Sequence, residues 1–502
     1  MPRRHQNQKP SWLKFLTVQK FDQLIYWGVM GFILLYTVAA ALVSVHRFWQ
    51  FEVFYYDFGI FDQALWRVAH FQPPVIEHLV IGGKWIFADH FNPGMFLLAP
   101  LYWFTDRPEI MLVAQAVAAG ISAVILHKIA RKVTGSAILA AAVVVSYCLF
   151  VGLQNALITD MHEVVFMLVP LLLILEAVVF GRRKLVWVWF GLTLLFKESA
   201  FLLGVGLGLF TWWVRRDWWR EALGMIGIAA IWGFLVIQLV IPYFSGGQYA
   251  YKPDFYREAW KNVLALVDVP IKRETQFLSL WSFGFLPLLA PASWPLIGQD
   301  WIVRFMPQNT AGRWALGMHY SAQLAPLLAL GMSYGLSWIK SRIKLQSWSQ
   351  KKFWSKWWLN WGQLSLILIS GGLILNALYL HRVKLHGPLG LAYNPDFYRH
   401  SQDFEFLEKM IQAIPPTASV MTQNNLAAHL THQQVWLSRD NYEDYQPDYV
   451  MFDLRSDQNP NNLFAMSRDL TLIVDRLKVD PNYQILFQNG NQWIFKRNVK
   501  VL

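Results

Sequence analysis

Three short stretches hold ionisable side chains amid apolar sequence, and they are where this chain could do chemistry. Residues 51–93, FEVFYYDFGIFDQALWRVAHFQPPVIEHLVIGGKWIFADHFNP, set Asp57, Asp62, Glu77, Asp89, His70, His78 and His90 among many aromatic rings. A second segment carries Asp160, His162 and Glu163, and a third is the adjacent pair Lys197–Glu198 between two apolar runs. A carboxylate such as Asp57 or Asp62 can accept a proton from an attacking hydroxyl or hold a divalent cation. A charge bounded by apolar helices is costly unless it faces a cavity or a partner. Lys197 is therefore suited, as a compact point charge, to a phosphate near the headgroups, and the pair Lys197–Glu198 also reads as a structural ion pair. Arg304, Arg313, His319 and Tyr320 lie in a further polar loop and add candidate phosphate or substrate contacts.

Other chemistries lack support. Asp57 and Asp62 are five apart, and a helix starting near Gly59 need not put them on one face, so spacing does not make them a carboxylate pair. The histidines and acids lack the tight spacing of a zinc site, and no residue is assigned to a metal. The outer carboxylates are numerous enough to accommodate a divalent cation such as Mg or Mn, and the cofactor stays open. No P-loop, GxSxG or GxGxxG run stands where a strand would meet a helix, so ATP-driven and serine-hydrolase mechanisms have no footing. The single cysteine, Cys148, lies in an apolar run, cannot form an intrachain disulfide and reads as a buried small hydrophobe.

The elements that must position these groups are apolar helices. Of 502 residues, 55% are hydrophobic and 15% charged, against about a quarter charged in soluble proteins. Mean hydropathy is +0.29, and 26 tryptophans fit belts at membrane interfaces. The net charge of +12 comes from 44 basic and 32 acidic residues, yet the basic ones fall in short clusters between apolar runs. That is the signature of cytoplasmic loops rather than of a nucleic-acid surface.

About eleven spans are expected. A basic cytoplasmic segment, 1–20, precedes a retained anchor at 24–45 with no signal-peptide cleavage site. A large first outer loop, 46–93, follows, and 94–104 is expected along the interface. Further spans are read at 109–129, 136–153, 164–180, 185–196, 201–214, 222–241, two short helices within 277–306, then 322–339 and 359–380. The basic clusters at 128–132, 182–184, 215–220 and 340–356 all fall inside, and the carboxylate-rich loops fall outside. This describes a multi-pass membrane protein with a transmembrane domain at 21–380. From 381 to 502 the composition becomes that of a soluble, extracytoplasmic α/β domain. A helix is expected at 403–414, stopped by Pro415–Pro416, with strands at 419–422, 434–437, 449–454, 484–488 and 493–496 and a helix at 470–477. Asn489-Gly490-Asn491 marks a hairpin between the last two strands.

The run YDFGIFDQALW, then FADHFNP with LLAPLY, LLFKESA and HYSAQLAPLLALG, resembles the bacterial membrane protein family called domain of unknown function 2079. IPPTASVMTQNNLAAHLTHQQVWL and PDYVMFDLR fit that family's soluble tail. The blocks match in order from about residue 56 to 455. That family is in turn similar to the polyprenyl-phosphate-sugar-dependent glycosyltransferases of the GT-C fold, which have a large first outer loop with a catalytic acid near its start. The resemblance implies an all-α, GT-C-like membrane protein with a small C-terminal α/β domain. It implies sugar transfer from a polyprenyl-phosphate-linked donor to an acceptor on the extracytoplasmic side. Asp57 becomes the base or acceptor-orienting residue and Asp62 the second catalytic candidate. Lys197, Glu198, Asp89, His90, His162, Glu163, Arg313, His319 and Tyr320 become substrate-binding candidates. The GT-C signature has two adjacent acids, whereas here Phe58 follows Asp57. Two rival classes are a transporter or flippase of a lipid-linked or small polar substrate, and a non-catalytic envelope scaffold. The first needs charges deep in the bundle and usually repeated halves, while here charges gather at one face and no half-to-half repeat is visible. The second predicts that the first-loop carboxylates can be replaced freely.

Overall fold

Where backbone is surrounded by hydrocarbon, its N–H and C=O groups must be satisfied within one segment, and this chain does so with helices. The computed structural model describes residues 11–77, 82–247, 249–342, 361–399, 404–455 and 470–498. His78, the basic residues Arg3, Arg4 and Lys9, and the cluster Lys344, Lys351, Lys352 and Lys356 lie outside the described residues. In chain order the first helices are α1 (Ser11–Trp49), α2 (Ile60–Ala69), α3 (Glu109–Thr134), α4 (Ala137–Leu149), α5 (Val151–Ile158), α6 (Glu163–Phe180), α7 (Arg183–Leu194), α8 (Ala200–Val214) and α9 (Trp219–Leu235). Among the described residues, five stretches are long and apolar enough to cross a bilayer: Lys20–Trp49, Glu109–Thr134, Glu163–Phe180, Arg216–Ser245 and Leu364–Lys384. The pair α4 and α5, bent by 47°, makes a sixth if counted as one span.

Two helices expected as short spans are shorter than a full crossing. With 12 and 15 residues, α7 and α8 reach only about 18 and 22 Å, short of a core of about 30 Å. Residues 277–306 are likewise divided: proline-led 3-10 turns at Leu286–Leu289 and Pro291–Ser293 precede a 12-residue helix, Trp294–Phe305. Residues 93–103, expected at the interface, form a 3-10 helix.

The first loop is ordered throughout its described part. It opens with a π-helical turn, Tyr55–Gly59, which runs into α2. Gly59 is required there, because a Cβ would stand 2.3 Å from the Tyr55 ring. After α2, strands β1 (Val75–Ile76) and β2 (Lys84–Trp85) pair antiparallel and deliver the chain to Asp89 and His90.

Beyond the last apolar helix the chain builds a five-stranded sheet from β3 (Val420–Thr422), β4 (Val435–Leu437), β5 (Tyr449–Asp453), β6 (Tyr483–Asn489) and β7 (Gln492–Arg497). Its order is β4-β3-β5-β7-β6, with β4, β3 and β5 parallel and β5, β7 and β6 antiparallel. Each strand lies within a residue or two of its expected position, as does the helix Leu470–Val479. Successive side chains of β5 alternate between faces, and so between two cores. Tyr449 and Met451 join the core shared with the membrane helices, whereas Val450 and Phe452 pack with Ile473, Val474 and Leu477. The loop from 424 to 433 reaches back to the start of the first loop. His429 is stacked between Phe48 and Phe51, at 4.0 Å from each ring, and Gln63 donates to the Gln433 carbonyl at 3.0 Å.

Candidate active site

The π-helical turn fixes Asp57 through its backbone. Phe54 N–H donates to Asp160 Oδ1 at 3.1 Å and Tyr56 N–H donates to Asn424 Oδ1 at 2.9 Å, so one brace comes from the helical domain and one from the tail. The Asp57 carboxylate then faces a cavity of about 170 Å³. Among the described residues it has no hydrogen-bond or ion-pair partner. Burial raises its pKa above the ordinary value, against the pull of nearby His162. A carboxylate that is unpaired and less acidic than usual is disposed to accept a proton.

The same cavity collects Asp89, His90, His162, Glu163, Lys197, Glu198, Arg313, His319 and Tyr320, from four separate parts of the chain. Lys197 and Glu198 do not pair with each other. The turn between α7 and α8 sends them to different partners: Lys197 Nζ to Glu163 Oε1 at 2.6 Å, and Glu198 Oε1 to His90 Nδ1 at 3.1 Å. Tyr249 also donates to Glu198 Oε1 at 2.6 Å, while Glu198 Oε2 is buried without a partner. Burial alone would discharge these groups, but their partners outweigh it. His90, beside Glu198 and Asp89, is raised to about 9, and Glu198, beside His90 and Lys197, is lowered to about 2. Lys197 is raised because Glu163 more than offsets its desolvation. Tyr251 completes this wall, donating to Asp89 Oδ1 at 3.0 Å and stacking on His90 at 4.7 Å.

On another side, the Arg313 guanidinium lies over the Tyr320 ring at 5.7 Å and, among the described residues, has no hydrogen-bond or ion-pair partner. Arg304, a phosphate candidate from sequence, is committed elsewhere. It donates to the carbonyls of Arg313 and Ala315 and to Ser321 Oγ, and its Nη1 stands 3.6 Å from Asp300. It thereby holds the 313–321 loop in place. The His162 and His319 rings lie 3.6 Å apart, tilted by 33°, on the cavity wall.

Asp62 does not join this group. It is fully buried, accepts a hydrogen bond from Tyr102, accepts another from Thr431 Oγ1 at 2.5 Å and lies 3.1 Å from His432 Nε2. Its carboxylate clasps the tail to the first loop. The start of α2 at Ile60 explains the divergence, since five residues across this turn rotate the two side chains to different sides. Tyr249, Tyr251 and Asn424 escaped the sequence reading, because nothing in their surroundings contrasts in charge. Among the described residues no three His, Cys, Asp or Glu side chains converge to hold a metal ion.

Two crystal structures of ArnT from Cupriavidus metallidurans are similar to this chain. The one bound to undecaprenyl phosphate aligns with a TM-score of 0.53 at 12% identity, over 94% of this chain and 98% of that one. The apo structure aligns with a TM-score of 0.50 at 12% identity, over 93% and 97%. At that identity the likeness is one of architecture, and it extends over helices and tail alike: the fold is the GT-C fold of ArnT. No curated protein matches the chain in sequence. The family model described as "Predicted membrane protein (DUF2079)" matches residues 47–486, and the chain therefore belongs to the DUF2079 family of membrane proteins.

Proposed function

We propose that this protein transfers a sugar from a polyprenyl-phosphate-linked donor to a hydroxyl acceptor on the extracytoplasmic face, using the cavity around Asp57. The observation that carries this reading is a carboxylate and a guanidinium, Asp57 and Arg313, that line one cavity and have no hydrogen-bond or ion-pair partner among the described residues. Asp57 accepts the acceptor's hydroxyl proton as the oxygen bonds to the anomeric carbon. The bond from that carbon to the phosphate oxygen breaks, and the departing polyprenyl phosphate keeps the electron pair. Arg313 neutralises the developing charge, with Lys197 adding positive field while it stays bound to Glu163. Asp89, His90, Glu198, Tyr249 and Tyr251 form a rigid polar wall that orients the substrates. A fold shared with a protein crystallised with undecaprenyl phosphate supports a lipid phosphate as ligand.

The test is transfer of labelled hexose from a polyprenyl-phosphate donor in membranes carrying the wild-type chain or Asp57→Asn. The reading expects label in an acceptor with the wild type and none above background with the variant. Equal transfer by a folded Asp57→Asn protein would end the catalytic assignment.

A further inference from the structure

His162 and His319 are left over once phosphate and acceptor have been assigned. They come from distant parts of the chain, one preceding α6 and the other in the 313–321 loop, yet their ring centroids lie 3.6 Å apart with the planes tilted by 33°. Both residues are more than nine-tenths buried, at 2% and 7% exposure. His162 Nε2 and His319 Nδ1 are buried with no hydrogen-bond partner, and both residues line the cavity. Two unsatisfied buried ring nitrogens on one cavity wall are costly, and each calls for a partner that a ligand can supply.

The surroundings decide what kind of ligand. Burial lowers the pKa of each ring, and around His319 the neighbouring His162, then Lys197, His90 and Arg313, lower it further. Asp57 and Glu163 pull His162 the other way without prevailing. The rings are thus imidazoles, not imidazoliums, and are poor anion binders. A neutral imidazole offers one N–H donor and one lone pair. Two adjacent rings present alternating donors and acceptors, which a pair of neighbouring hydroxyls satisfies because each hydroxyl can both give and accept.

We infer that the His162–His319 pair is the sugar subsite of this cavity and grips two neighbouring hydroxyls of the transferred ring. This rests on the glycosyl-transfer reading above and goes beyond it in separating the group that holds the sugar from the groups that hold the phosphate.

The experiment compares two lipids on the purified full-length protein: undecaprenyl phosphate and undecaprenyl-phosphate-linked glucose. The wild type should prefer the sugar-bearing lipid. His162→Phe and His319→Phe should each reduce that preference about tenfold while leaving undecaprenyl phosphate unchanged. His162→Gln and His319→Gln should recover part of it, since an amide also donates and accepts; they also keep the test valid if the Phe variants unfold. Equal loss for both lipids would place the pair on the phosphate and overturn the inference. So would an unchanged preference in variants whose melting temperature matches the wild type. Binding of neither lipid by the wild type would instead remove the transfer reading itself, and this inference with it.

Discussion

Asp57 and Asp62 stand five residues apart in one short segment and live in opposite surroundings. Asp57 faces the cavity with no partner among the described residues, and burial leaves it less acidic than usual. Asp62 is fully buried and met by Tyr102, Thr431 and His432. An unsatisfied carboxylate has something to offer a substrate, whereas a saturated one has already spent its lone pairs on structure. The difference teaches that an acidic residue in a membrane protein's loop should be judged by what is left unpaired, not by its being acidic.

Exchanging the roles of the two residues would break this comparison. Asp57→Asn should lower transfer by roughly 10²–10⁴-fold, the usual worth of a general base, with no fall in melting temperature. A variant that lost stability instead would make Asp57 a second structural acid. Asp62→Asn should do the reverse, costing about 2–4 kcal/mol because its buried donors lose a charged acceptor. Thermal melting and limited proteolysis around 424–433 would register it, and an unaltered melting curve would show that the clasp contributes little. The same contrast extends to the cations. Lys197→Gln leaves Glu163, only 2% exposed, without its partner, and should destabilise. Arg313→Gln breaks no hydrogen bond or ion pair among the described residues and should weaken undecaprenyl phosphate about tenfold at constant stability. Equal behaviour of the two variants in both assays would erase the distinction.

The smallest effect concerns pH. His90, ordinarily 6.5 and here about 9, stabilises the fold fully below 6.5 and loses that contribution as pH rises towards 9. Glu198, ordinarily 4.5 and here about 2, stabilises above 4.5 and loses it only as pH falls towards 2. The melting temperature should therefore be flat between these windows, from pH 4.5 to 6.5, and decline on the alkaline side. His90→Gln should shallow that decline; an identical alkaline slope in the variant would dissociate His90 from it.

What could be read in the sequence depended on contrast. Asp57, His90 and Lys197 stand out because a charge beside apolar runs is conspicuous, and the cavity holds all three. The tail strands were legible from short apolar runs and the Asn489-Gly490-Asn491 turn, which sits between β6 and β7 as expected. Partners were not legible. Glu163 lies 34 residues before Lys197, while its neighbour in sequence, Glu198, turns to His90. Tyr249 and Tyr251 were hidden among 19 tyrosines in a chain that is 16% aromatic. The shortness of α7 and α8 was legible from the charged pair that parts two brief apolar runs, whereas the bend between α4 and α5 was not, because apolar composition carries no sign of it.

The clasp at Asp62 also has a meaning in time. Thr431 follows Asp62 by 369 residues, and Asn424 follows Tyr56, whose amide it holds, by 368. At roughly 5–20 residues per second of synthesis, the Asp57 turn waits about 20 to 70 seconds for its tail-derived brace. The helices that carry most of the cavity wall are made long before the part that completes the site. A growing chain thus remains without its finished site, which closes only when the tail has left the ribosome and folded.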